Sequence, residues 1–109
     1  MNLNQLHYFA KLAEVEHYTK AAEELSISQP SLSHAVSSLE KEIGTKLFEK
    51  QGRGVVLTKY GKIFKEYVDE AIHSLDTGVK KVQSMTWTWW MTLAVILAVL
   101  LLIGCIPVG

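Results

Sequence analysis

The chain has 109 residues, with eleven basic and eleven acidic side chains and a formal net charge of zero. That length holds one small domain with an appendage and excludes a multidomain enzyme; a single cysteine, Cys105, excludes a disulfide scaffold. The averages of 49% apolar and 20% charged conceal a split, since all 22 charges precede residue 85 and apolar residues number 34 of the first 84 but 19 of the last 25.

The first 84 residues are periodic and well supplied with Leu, Val, Ile and aromatics, which argues against disorder. No apolar run near Met1 is long enough for a signal peptide, so this part is expected in the cytoplasm. Asn2 followed by Gln5 forms a capping-box pattern that opens a first helix. Leu6, Phe9, Ala10 and Ala13 recur at helical spacing, and the helix is expected to end around residues 16–18. Thr19 is the next cap signal, leading a short helix through Ala21, Ala22 and Leu25. Residues 26–28 form a turn. Ser28 or Gln29 caps a third helix with Pro30 in its first turn, where a missing N–H costs nothing. Leu32, Ala35, Val36, Leu39 and Ile43 share one helical stripe, with Pro30, His34, Ser37 and Lys41 opposite, and Gly44 ends the helix.

Two β-prone runs, residues 46–50 and 55–57, flank a Gly-rich turn over residues 51–54 and read as a hairpin. Thr58 caps a fourth helix. Its Tyr60, Phe64, Tyr67, Ala71, Leu75, Gly78 and Val82 step by three and four residues, as in a coiled-coil seam. A helix running to residue 84 exceeds what so small a domain can cover, so Phe64, Tyr67, Ala71, Leu75 and Val82 are expected to contact a second copy. Ordinary packing against the domain itself is the other reading of this seam.

Three short helices with a tight turn, followed by a hairpin, describe a winged helix-turn-helix. A helix fits the DNA major groove, and its N-terminal residues reach base edges. Here those residues are Gln29, Pro30, Ser31, Ser33 and His34. Gln can bond adenine through two atoms, and Ser can donate or accept at several edges. Thr19 and Ser28, hydroxyls at the starts of the second and third helices, complete the candidate set there. Residues 43–65 carry Lys46, Lys50, Arg53, Lys59, Lys62 and Lys65 against Glu49 alone, a net +5. Lys50 and Arg53 on the hairpin suit contact with the DNA backbone or minor groove; simple solvation of surface lysines accounts for the same count.

The run Ala21-Ala22-Glu-Glu-Leu25-Ser-Ile-Ser28-Gln29-Pro30-Ser31-Leu32-Ser33 resembles the signature of the LysR-type transcriptional regulators. The resemblance continues through residues 39–50 and ends on Arg53-Gly-Val-Val-Leu57-Thr58-Lys-Tyr-Gly61, covering about residues 1–85. It implies a winged helix-turn-helix with a dimerising linker helix. By position, it places base reading on Gln29, Pro30, Ser31, Ser33 and His34, and wing contacts on Lys50 and Arg53. Two local departures stand out: Lys50 where the family often has Arg, and Lys59-Tyr60 where Ala-Gly commonly follows the Leu-Thr pair. The 25 residues after Ser84 are too few for the family's effector-sensing domain, so no small-molecule effector domain is expected.

Residues 87–106 are 20 positions, roughly 30 Å as a helix, which matches a bilayer core. Thr88, Thr92 and Gly104 are the interruptions, and all three tryptophans, Trp87, Trp89 and Trp90, sit at the N-terminal end as in an interfacial belt. Leu93, Leu97 and Leu101 are among the expected lipid contacts. Lys80 and Lys81 are the nearest charges, which puts the first part in the cytoplasm and residues 108–109 outside the cell membrane. Two other origins stay open for this tail: the first element of a lost domain, or a shifted or truncated reading frame that happens to be apolar.

The expected architecture is therefore mostly α. It comprises a winged helix-turn-helix with a small β-hairpin wing (residues 1–58), a long dimerising linker helix (59–84), and a C-terminal single transmembrane-like helix (85–109). The expected partners are double-stranded DNA, a second copy and a lipid bilayer. His7, His17, His34 and His73 lack metal-ligand spacing, and no phosphate loop or nucleophile motif occurs. No metal, cofactor or catalytic residue is expected. The function so read is sequence-specific transcriptional regulation; the alternative is a membrane-tethered dimerisation module that modulates full-length relatives.

Overall fold

The structure is a computed structural model that describes residues 1–104. Cys105 and residues 106–109, including the expected end of the membrane span, lie outside the described residues. The element order is α1 (Leu3–Val15), α2 (Tyr18–Leu25), α3 (Gln29–Ile43), β1 (Phe48–Gln51), β2 (Gly54–Leu57) and α4 (Lys59–Gly104). The chain divides into two units, the first Met1–Ile72 and the second beginning at His73. This division differs from the expected boundaries, because the first turns of α4 pack into the domain that precedes them.

The local signals act as their chemistry requires. The Asn2 side chain accepts from Gln5 N at 2.8 Å while Gln5 Oε1 accepts from Asn2 N at 3.2 Å, a reciprocal capping box. Ser28 Oγ accepts from Ser31 N at 3.2 Å, with Pro30 in the first turn of α3. Gly44, at φ 92°, closes that helix. One cap falls elsewhere than expected. Glu16 takes the left-handed conformation at φ 61°, which brings His17 rather than Thr19 to the N-cap of α2. His17 Nδ1 accepts from Lys20 N at 3.4 Å. Ser26, also left-handed at φ 57°, turns the chain from α2 towards α3.

The core of the first unit is a single cluster of Phe9, Leu12, Ala21, Ala22, Leu32, Val36, Leu39, Leu47, Phe48 and Val68. Phe9 is its hub, with ring centroids 5.4 Å from Phe48 and 5.2 Å from Phe64, both tilted at 60°. Such pairs add about 0.5–1.5 kcal/mol beyond burial itself. Ile43, expected on the α3 core stripe, is exposed: it is the last helical residue, beyond the cover of its neighbours.

The hairpin is tighter than expected. Phe48 pairs with Leu57 and Gln51 with Gly54, leaving Gly52 and Arg53 as the two-residue turn. Gly52 holds φ 61° while Arg53 keeps a negative φ, the pattern of a type II′ turn. Val55 N donates to Glu16 O at 3.0 Å, and Thr58 N to Leu47 O at 2.9 Å, so the wing is bonded to the α1–α2 turn and closed at its base.

Glu40 of α3 makes the remaining tie. Its carboxylate, only 11% exposed, accepts from Leu47 N at 2.7 Å and Phe48 N at 3.3 Å, while Lys46 Nζ lies 3.8 Å from its other oxygen. Burial and this carboxylate together push the Tyr18 phenol above its ordinary pKa.

Helix α4 begins at Thr58, whose Oγ1 accepts from Gly61 N at 3.1 Å and donates to Lys46 O at 2.8 Å. Its inner face is Gly61, Phe64, Val68 and Ile72. Phe64 is thus a correction: expected on a dimer seam, it packs on Phe9 inside its own domain. Tyr67, Ala71, Leu75 and Val82 are exposed.

Two outcomes follow. Glu40→Ala should lower the stability of the first unit by about 2–3 kcal/mol, and Glu40→Gln by about 1, since the amide keeps an acceptor. Gly61→Ala should cost about 1–3 kcal/mol, because a Cβ there would collide with the Leu47 backbone oxygen and crowd Leu57. Hydrogen exchange of the core amides measures both, and isolates this unit from the rest of the chain.

Candidate nucleic-acid interface

The helix-turn-helix is the segment α2, the Ser26–Ser28 turn and α3. Ala21 and Ala22 are buried where α2 meets the core, and Leu32, Val36 and Leu39 bury the opposite side of α3. That leaves Gln29, Pro30, Ser31, Ser33 and His34 exposed on the first turns of α3. No acid lies in that first turn. The local fold is imposed by the Ser28 cap and by Pro30, which suits the first turn of a helix. The end of α3 that carries these polar side chains also carries the partial positive charge of its unpaired N–H groups.

Within this group the hydroxyls are partly committed. Ser28 Oγ donates to Ser31 Oγ at 2.7 Å, so these two form a linked pair at the helix start. Thr19, exposed in the first turn of α2, donates through Oγ1 to Gln29 Oε1 at 3.1 Å. The structure therefore brings Thr19, Ser28, Gln29 and Ser31 together. Ser33 and His34 lie further along the exposed face.

The wing carries Lys50 on β1 and Arg53 in the turn, both exposed. Among the described residues neither is in an ion pair. The other basic residues counted from the sequence are not equivalent. Lys46 faces Glu40, and Lys65 bonds Asp69 at 2.6 Å one helical turn along α4. Lys59 sits 5.0 Å above the Tyr60 ring. With Lys46 and Lys65 paired to acids outside this segment, the uncompensated positive charge is smaller than the net +5 and is shared between the wing, where Glu49 accompanies Lys50 and Arg53, and the start of α4, which carries Lys59 and Lys62. Sequence reasoning missed Glu40 altogether, because an acid on the polar flank of a helix carries no sign that two strand amides will meet it.

In the second unit, α4 exposes an apolar surface that includes Trp87, Trp89, Trp90, Leu93, Leu97 and Leu101. The helix is long and apolar enough to cross a membrane by length and composition. Thr88 and Thr92 donate to the carbonyls of Ser84 and Thr88, each at 2.8 Å, so both hydroxyls are satisfied within the helix. Asp76 and Lys80 pair at 3.0 Å one turn apart.

This geometry has relatives. HTH-type transcriptional regulators similar in sequence include YybE of Bacillus subtilis (strain 168), 41% identical over 85 residues, and BudR of Klebsiella aerogenes, 40% identical over 85 residues. Each match covers 78% of this chain, which spans 29% of the length of YybE and 59% of that of BudR. Among solved structures, the BenM DNA-binding domain in complex with benA site 1 DNA is similar with a TM-score of 0.74 and 35% identity. That match covers 78% of this chain and 99% of the BenM chain. The family of bacterial regulatory helix-turn-helix proteins, lysR family, matches residues 3–62. With more than half of its length matched on the elements that build this fold, the chain belongs to the lysR family of helix-turn-helix proteins.

Proposed function

We propose that this protein is a sequence-specific DNA-binding transcriptional regulator held at the membrane by its C-terminal helix. The observation that carries the DNA-binding reading is the exposed, acid-free start of α3 with Gln29, Pro30, Ser31, Ser33 and His34, in a domain whose wing leaves Lys50 and Arg53 unpaired. The α3 residues meet base edges in the major groove, and the wing residues meet phosphates. The likeness to a domain solved on DNA supports the same reading. Lys50 acts as a point charge, whereas Arg53, at the tip of the turn, can grip a phosphate through two N–H groups.

A second copy pairs through Tyr67, Ala71, Leu75 and Val82, which α4 leaves exposed. Two copies then place two α3 helices on the two halves of an imperfect inverted repeat. Pairing matters because one module of this size binds weakly and in a salt-sensitive way.

The bilayer holds the apolar part of α4. Support comes from its length, its exposed Trp and Leu side chains, and threonines that need no external partner. Lys80 and Lys81 precede the span, so the DNA-binding unit stays on the cytoplasmic side.

A gel-shift assay on the promoter beside the protein's own gene tests the first reading. The cognate site should outcompete random DNA, and equal affinity for both rejects sequence specificity. Arg53→Ala and Lys50→Ala should weaken binding to every sequence, each lowering the salt slope by about one. For the tail, cell membranes washed at alkaline pH should retain the protein, whereas release into the soluble fraction rejects a spanning helix.

A further inference from the structure

Thr19 and Gln29 are ten positions apart and belong to different helices, yet the Thr19 hydroxyl donates to Gln29 Oε1 at 3.1 Å. Among the described residues this is the one side chain to side chain hydrogen bond joining α2 to α3. Both residues are exposed, so core packing does not dictate the Gln29 rotamer. The terminal torsion of a glutamine amide is soft, and a free amide presents either its oxygen or its NH2 to a ligand. With Oε1 turned to Thr19 and one of its lone pairs taken, the two Nε2 N–H groups point away from Thr19 and are the fully free groups a ligand meets.

The surroundings suit Thr19 to this task. His17 takes the N-cap of α2, which leaves the Thr19 hydroxyl free of capping duty. Ala21 and Ala22, the next buried residues, seat α2 on the core, so the hydroxyl sits on a rigid element.

We propose that Thr19 is a positioning residue that makes Gln29 a hydrogen-bond donor towards the base it faces. This rests on the reading of α3 as the base-contacting helix. A donor suits bases with acceptors in the major groove: N7 and O6 of guanine, N7 of adenine and O4 of thymine. It rejects cytosine, whose major-groove group, N4–H2, is itself a donor. A freely rotating amide accepts from cytosine as readily as it donates to the others. Thr19 therefore adds discrimination at one base position through its hold on Gln29.

The test is selection of sites from a randomised duplex pool by the 109-residue chain in detergent micelles, comparing wild type with Gln29→Ala, Thr19→Val, Thr19→Ala and Thr19→Ser. Val keeps the branched shape without the donor, Ala keeps high helix propensity without it, and Ser restores it. Gln29→Ala should flatten the preference at one base position. Thr19→Val and Thr19→Ala should relax the penalty against cytosine at that same position by about three- to tenfold relative to the other positions. Thr19→Ser should return the wild-type profile. If the donor-free variants keep the cytosine penalty, or weaken all positions evenly, the role of Thr19 is overturned while base reading by Gln29 stands. If Gln29→Ala flattens no position, the base-reading assignment fails and the role of Thr19 falls with it.

Discussion

The first unit depends on one carboxylate. Glu40 projects from α3 into a nearly closed environment and accepts the Leu47 and Phe48 amides at the start of the wing. A charge taken that far out of water is tolerable only when hydrogen bonds replace its hydration. Here two backbone donors do so, with the Lys46 ammonium 3.8 Å from the other oxygen. Burial first, and this carboxylate second, raise the Tyr18 phenol, so Glu40 also reaches the environment of α2. One side chain thus relates the helix-turn-helix to the wing, and the two groups of exposed polar residues hold a set spacing. Without it, the wing would depend on the Glu16–Val55 bond, the Thr58 bonds at its base, strand pairing and the packing of Phe48 on Phe9.

The polar start of α3 is a consequence of economy in the core. Leu32, Val36 and Leu39 suffice to bury the helix, so its other side can carry small hydroxyls, a proline and a glutamine with no core role. The helix is closed by Ser28 and Gly44, one at each end. The core residues and the exposed polar residues therefore fall on different faces of one element, and substitutions on the exposed face cost little folding energy.

Helix α4 serves the two units by different means. From Gly61 to Ile72 it is a core element, and Gly61 allows its backbone to meet the Leu47 carbonyl at a distance no side chain permits. Beyond His73 its apolar side chains are exposed among the described residues. The change is one of surroundings rather than of backbone, since the helix runs unbroken from Lys59 to Gly104.

Much was legible in the sequence because it depends on neighbours along the chain. The Asn2–Gln5 box, the Ser28 cap, Pro30, Gly44 and Thr58 work over three or four residues, and each acts in the structure as read. The ordered family motif and the uncharged tail are likewise properties of the string of residues. Phe64 was read onto the outer seam of α4 because it fits either an inner or an outer face until Phe9 is placed beside it. The cap of α2 moved from Thr19 to His17 because a left-handed Glu16 sets where the helix begins. Most of the helix and turn content was set by local chemistry alone. Only the tertiary structure decided that Glu40 holds the wing, that Lys46 and Lys65 are already compensated, and that Thr19 meets Gln29. Those outcomes depend on distances across space between separate elements, and local spacing along a chain does not encode them.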